Sequence, residues 1–148
     1  MKSHEAPVEV RGETLFETRV PTDLEIKTPL AIRIGSELLA RGLIDEGERE
    51  KIEIAFEEAI KNAMVHGNRE NQDLAVTVRV FCYGEGWGVA VQDQGEGFSE
   101  KVIVDAGHPE FPWMDHGRGI HLMRHLMDSV EYFCGGRQVV LLRKRSGG

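Results

Sequence analysis

Glu57-Glu58-Ala59-Ile60-Lys61-Asn62-Ala63-Met64-Val65-His66-Gly67 has the spacing of a helix end. Apolar residues recur at Ile52, Ala55, Phe56, Ala59, Ile60, Ala63 and Met64, the 3.6-residue rhythm of one buried face. Glu58, Asn62 and His66 recur at i, i+4 and i+8, which stacks them on a single edge beside that face. Gly67 is placed to end the helix as a C-terminal glycine would. A carboxylate and a carboxamide on one edge suit a hard cation, because magnesium takes oxygen ligands together with substrate phosphates. The same residue types are also ordinary on a solvated helix surface, so this edge needs support from the rest of the chain.

Upstream, Asp45-Glu46-Gly47-Glu48 opens this helix with acidic residues that favour its positive end. A second helical pattern precedes it over Leu24 to Ala40, with Leu30, Ala31, Ile34, Leu38 and Leu39 on one face. Thr22 or Asp23 can cap it. Pro29 marks either a kink or the true start, with Thr28 as the cap. Before it, Leu15, Phe16, Thr18 and Val20 form the best strand candidate, closed by Pro21. Residues 1–7 read as a flexible start.

Downstream, Asn68 to Asp73 is a polar loop. In Leu74 to Tyr83, Ala75, Thr77 and Arg79 alternate with Val76, Val78 and Val80, the mark of a half-buried strand. Gly84-Glu85-Gly86 turns the chain into Trp87 to Val91 as a hairpin. Residues 98–116 form a long loop bearing Gly107, Pro109 and Pro112, and loops of that length are usually functional or disordered. Ile120 to Met127 is a helix, and Ser129 to Cys134 and Gln138 to Arg143 pair as a last hairpin. Strands joined by short turns, with helices gathered together, predict an α+β fold. It is a two-layer α/β sandwich of a mostly antiparallel sheet with helices on one face.

The chain has 148 residues and a net charge of −7, so a single domain without a general nucleic-acid surface is expected. Arg143-Lys144-Arg145 is too short a basic run to change that. No apolar run approaches the ~20 residues that span a bilayer, and Met1 to Val10 has no signal-peptide core. A cytoplasmic protein with no membrane contact is the expectation. Cys82 and Cys134 lack metal or redox spacing. His121 and His125 sit at i, i+4 without a third ligand, which favours a helix-surface pair.

Two glycine boxes supply the support that the helix edge needs. Asp93-Gln94-Gly95-Glu96-Gly97 stands at a strand end. Glycines there let the backbone approach a flat ligand while a carboxylate accepts from an amino group such as adenine's. Asp93 can equally cap its own turn. Gly117-Arg118-Gly119-Ile120 opens a helix, and backbone N–H groups at a helix start suit phosphate.

Taken in order, ExxxN on a helix, DxGxG after a hairpin strand, a loop and GxG at a helix start resemble the GHKL ATPases. That superfamily includes gyrase, Hsp90, histidine kinases and MutL. The resemblance covers roughly residues 14–144 and is closest to the small stand-alone anti-sigma factor serine kinases. It implies the Bergerat ATP-binding fold, ATP and Mg²⁺ as cofactors, and phosphorylation of an anti-sigma factor antagonist that competes with a sigma factor. It also implies roles residue by residue. Asn62 would ligate Mg²⁺, and Glu58 would be the catalytic carboxylate. His66 would line the pocket wall, and Asp93 would accept from the adenine amino group. Gly95 and Gly97 would let the base lie against the chain. Residues 98–116 would be the ATP lid, and Gly117, Arg118 and Gly119 would face the phosphates. A homodimer is a family-level expectation. Gly136-Arg137-Gln138 stands where many relatives carry Gly-Thr-Thr, a departure that bears on adenine affinity. Competing expectations are an ATP-binding module that sequesters a partner without catalysis, a separated histidine kinase catalytic domain, and a mechanical ATPase of the gyrase type.

Overall fold

The computed structural model describes residues 12–95, 121–133 and 137–145. Strand β1 (Glu13–Pro21) leads through a 3₁₀ turn (Leu24–Ile26) into helix α1 (Lys27–Ala40). Helix α2 (Glu46–Asn62) continues as a π turn (Ala63–Gly67), followed by strands β2 (Ala75–Tyr83) and β3 (Gly86–Gln92). Residues 121–126 are helical (α3), and β4 (Ser129–Phe133) and β5 (Gln138–Lys144) complete the fold.

The strands form one sheet in the order β1-β2-β3-β5-β4, with every pairing antiparallel. The alternation expected of β2 decides which face is which. Val76, Val78 and Val80 join Trp87, Val89, Val91, Val139 and Leu141 in the core against the helices. Helix α1 contributes Leu30, Ala31, Ile34 and Leu38 to that core, and α2 contributes Ile52, Ala55, Phe56, Ala59 and Ile60. Phe56 meets Trp87 edge to face, with ring centroids 5.9 Å apart, and so locks α2 across the middle of the sheet. Phe81, Ala90, Phe133 and Val140 form a smaller cluster on the opposite face. The α+β architecture expected above is the one observed.

Asp45 caps α2 through a full capping box. Its carboxylate accepts from the Glu48 N–H at 2.9 Å, while Glu48 accepts from the Asp45 N–H at 3.0 Å. Arg143 of β5 donates to Glu48 at 2.9 Å and to the Leu126 carbonyl, which ties the start of α2 to the end of α3.

Two local expectations are corrected. Thr28 is not a cap, and Pro29 neither starts nor kinks a helix. Asp23 accepts from the Glu25 N–H at 3.0 Å and caps the 3₁₀ turn, which leaves Pro29 in the first turn of α1. A missing N–H costs least in that turn. The helical path does end at Gly67, as expected, but without the left-handed conformation of a C-terminal glycine. The positive φ values fall instead on Arg69 (52°) and Glu70 (59°), after the π turn.

Candidate functional site

The π turn closes α2 with wider hydrogen-bonded rings than an α-helix makes: the Asn68 N–H reaches back to the Ala63 carbonyl at 2.8 Å, and the Glu70 N–H to the Met64 carbonyl at 2.7 Å. Such turns concentrate at functional positions, because the extra residue re-aims the side chains around it. Here the helix end is brought against the end of β3. A side chain at Gly67 would overlap the Asp93 carboxylate. A side chain at Gly95 would overlap the Gly67 carbonyl. Gly67 is therefore required by the close approach of the Asp93 side chain and Gly95 by that of the Gly67 backbone, a packing role for Gly67 in addition to its place at the end of the helical path.

A small, partly open pocket lies beside this contact. Helix α2 and its π turn supply Ala59, Asn62 and Ala63, and β3 and its end supply Val91 and Asp93. Met123 of α3, Tyr132 of β4, and Arg137 and Val139 at the start of β5 close the far side. The lining mixes apolar side chains with a few polar ones, as in small-molecule sites.

Asn62 is 7% exposed, yet its amide nitrogen and oxygen have no hydrogen-bond partner among the described residues. One turn earlier, Oε2 of Glu58 is buried in the same state. Buried polar atoms are nearly always paired, so these atoms single out this edge of α2 as a candidate ligand site. The donor set fits magnesium, because the Asn62 Oδ1 and the Glu58 carboxylate are hard oxygens beside an open pocket. His66 is half-buried on the π turn.

Asp93 is 5% exposed. Burial pushes its carboxyl up to about 6, against the Gly95 N–H and the nearby Arg137 guanidinium, which pull it down. Its Oδ1 accepts from the Gly95 N–H at 2.8 Å, so the self-capping turn expected of Asp93 is present. The pocket still includes this residue, so capping and ligand recognition are compatible. Burial also raises the Tyr132 phenol well above its ordinary range.

Asn62 and Asp93 thus share one pocket wall, and Gly95 packs against Gly67 beside it, whereas Glu58 and His66, one turn before and after Asn62 along the helical path, are not part of that lining. Gly97, Gly117, Arg118, Gly119 and the 98–116 segment lie outside the described residues. His121 and His125 are both exposed, and no metal-binding group of three or more His, Cys, Asp or Glu occurs among the described residues. No helix among them is long and apolar enough to cross a membrane.

Sequence reasoning missed Thr22, Asn68 and Gln94. Asn68 and Thr22 are 2% and 4% exposed. The Gln94 N–H donates to the Asn68 Oδ1 at 2.8 Å, and the Asn68 Nδ2 donates to the Thr22 Oγ1 at 2.9 Å. The only local signal was an asparagine directly after His66-Gly67, indistinguishable from a loop residue.

Two proteins resemble parts of this chain. The serine-protein kinase RsbW of Oceanobacillus iheyensis is 32% identical over 88 residues, 55% of this chain and 56% of its own length. An anti-sigma F factor of Heyndrickxia coagulans is 35% identical over 79 residues, 50% of this chain and 52% of its own. The chain spans about half the length of each of these curated relatives. A wider match covers residues 20–144, from the end of β1 to the last residue of β5, and by it the chain belongs to the histidine kinase-like ATPase domain family.

Proposed function

We propose that the pocket binds Mg²⁺·ATP and that the chain is a serine-protein kinase acting on a small anti-sigma factor antagonist in a partner-switching pathway. The observation that carries this reading is the buried Asn62 amide, unpartnered among the described residues, in a pocket wall shared with the buried Asp93, with the likewise unpartnered Oε2 of Glu58 one turn before it. Family membership and the printed names of the two relatives support it.

Asp93 accepts from the adenine amino group, and Gly95 lets the base lie against the backbone. Asn62 Oδ1 is the metal ligand from the protein. The metal, when bound, supplies positive charge across the phosphate oxygens. Glu58 orients the serine hydroxyl of the partner and takes its proton as the oxygen attacks the terminal phosphorus, with ADP leaving. The new phosphoserine carries about −1.5 to −2 charge, which changes what the partner's face can bind.

Calorimetry with Mg²⁺·ATP on the parent, Asn62→Ala and Asp93→Asn tests the site. Binding in the parent and its loss in both variants is the expected result. Transfer of labelled phosphate to an antagonist protein then tests the kinase. A Glu58→Ala variant that still transfers phosphate overturns the role given to Glu58. The alternative, an ATP-binding module that sequesters a sigma factor without catalysis, has Arg137 in its favour, since a guanidinium stands in the pocket wall. A parent that binds ATP and never transfers phosphate selects it.

A further inference from the structure

Asn68 engages both its amide nitrogen and its amide oxygen inside the protein. Its Oδ1 accepts from the Gln94 N–H at 2.8 Å. Its Nδ2 donates to the Thr22 Oγ1 at 2.9 Å and to the Ala75 carbonyl at 3.0 Å. Thr22 is anchored in turn, because its hydroxyl and its N–H both donate to the Leu74 carbonyl, at 2.7 Å and 3.1 Å. Gln94 returns to the same place, with its Oε1 accepting from the Ala75 N–H at 2.6 Å. One buried amide therefore joins the end of β1, the end of α2, the start of β2 and the residue after Asp93.

The consequence falls on Asp93. Its own N–H is held by the Arg137 carbonyl at 2.9 Å, and the next N–H, that of Gln94, is held by Asn68. Gly67, directly before Asn68, packs against its carboxylate. The backbone is thus fixed on both sides of the pocket-wall carboxylate that accepts from the base in the nucleotide reading. Recognition by a single carboxylate depends on aim, since a displacement of about 1 Å weakens a hydrogen bond severely. We infer that Asn68 is a positioning residue that fixes the aim of Asp93 and so sets the preference of the site for a 6-amino over a 6-oxo purine nucleotide. This rests on the nucleotide reading above.

The test compares ATP with inosine triphosphate, which carries a carbonyl where adenine carries its amino group. A site built around an acceptor rejects the oxo base, because two acceptors are left facing each other. Affinities for both nucleotides are measured with Mg²⁺ on the parent, Asn68→Ala, Thr22→Val and Arg143→Ala. The parent prefers ATP. Asn68→Ala reduces the ATP-to-inosine-triphosphate ratio by about tenfold, equivalent to ~1.4 kcal/mol. Thr22→Val, which removes the outer anchor and leaves the Gln94 bond, reduces it less but in the same direction. Arg143→Ala lowers the melting temperature at the far end of α2 and leaves the ratio unchanged.

Equal loss of both nucleotides in Asn68→Ala would make Asn68 merely structural and overturn the inference. If Asn68→Ala does not fold, Thr22→Val decides, and an unchanged ratio there overturns it. A parent that binds both nucleotides equally removes Asp93 from base recognition, and the inference falls with it. A parent that binds neither overturns the nucleotide reading itself.

Discussion

The two ends of α2 are made of similar residues put to opposite use. At the start, every carboxylate of the first turns that faces the protein is paired. Asp45 and Glu48 cap each other's backbone, Glu48 also takes Arg143, and Glu53 takes Arg49 at 2.9 Å. At the end, Glu58 and Asn62 hold buried atoms with no partner among the described residues, and Asp93 is buried so deeply that its carboxyl titrates near 6. A satisfied polar cluster stabilises a fold. An unsatisfied one lowers stability, and it persists where a ligand completes it.

The comparison can be broken most decisively at Glu58. Glu58→Ala should cut phosphotransfer by about 10²–10⁴-fold while nucleotide affinity changes little. Single-turnover transfer beside calorimetry separates the two. Asn62→Ala should weaken Mg²⁺·ATP by about 10–100-fold, the worth of one strong ligand contact. The melting temperature of the nucleotide-free variant should hold or rise, because a buried amide without partners has been removed. A marked fall would mean that Asn62 is structural, like the other end of the helix.

Asp93 sharpens the contrast through pH. Its folded value near 6 lies above the ordinary 3.8, so the folded state without nucleotide favours the protonated form. Ionised Asp93 therefore costs stability above pH 6, and that cost is relieved as the pH falls from 6 toward 4. Nucleotide binding runs the other way, since only the ionised carboxylate accepts from an amino group. ATP affinity should fall about tenfold per pH unit well below 6. Inosine triphosphate, with the same phosphate titration, serves as the reference. Parallel profiles for the two nucleotides would remove Asp93 from base recognition.

At the paired end, Glu48→Ala should lower stability by about 1–3 kcal/mol with ATP affinity unchanged, as chemical denaturation and calorimetry would show. The smallest effect belongs to Arg137. Replacing it with threonine should tighten ATP by about two- to fivefold, less than ~1 kcal/mol. No gain would mean that the guanidinium is neutral toward the base.

Much of this arrangement was legible in the residue order. The alternation of Val76, Val78 and Val80 placed the sheet, and Asp45 with Glu48 marked the capped helix start. The ExxxN edge and Asp93 stood out because short-range spacing carries them. The remainder depends on contacts that spacing does not encode. Gly67 was legible as the end of the helical path, but its packing partner, Asp93, lies far along the chain on another element. Asn68 meets Gln94 and Thr22 across sequence separations of 26 and 46 residues. Pro29 misled because Asp23 starts the helical path several residues earlier.

The position of β1 has a kinetic consequence. Strands β2 and β3 pair across a two-residue turn, as do neighbours in any hairpin, whereas β1 pairs with β2 from Pro21 to Ala75, across both long helices. Closing the longer loop costs about 3 kcal/mol more chain entropy if the intervening chain is flexible. Strand β1 should therefore dock late in folding. Val20→Ala should speed unfolding and leave the folding rate nearly unchanged, while Val89→Ala in the central hairpin should slow folding. Thr22 follows directly on β1, so the buried network that steadies Asp93 can close only at this last step. The chain would then acquire its architecture before its selectivity.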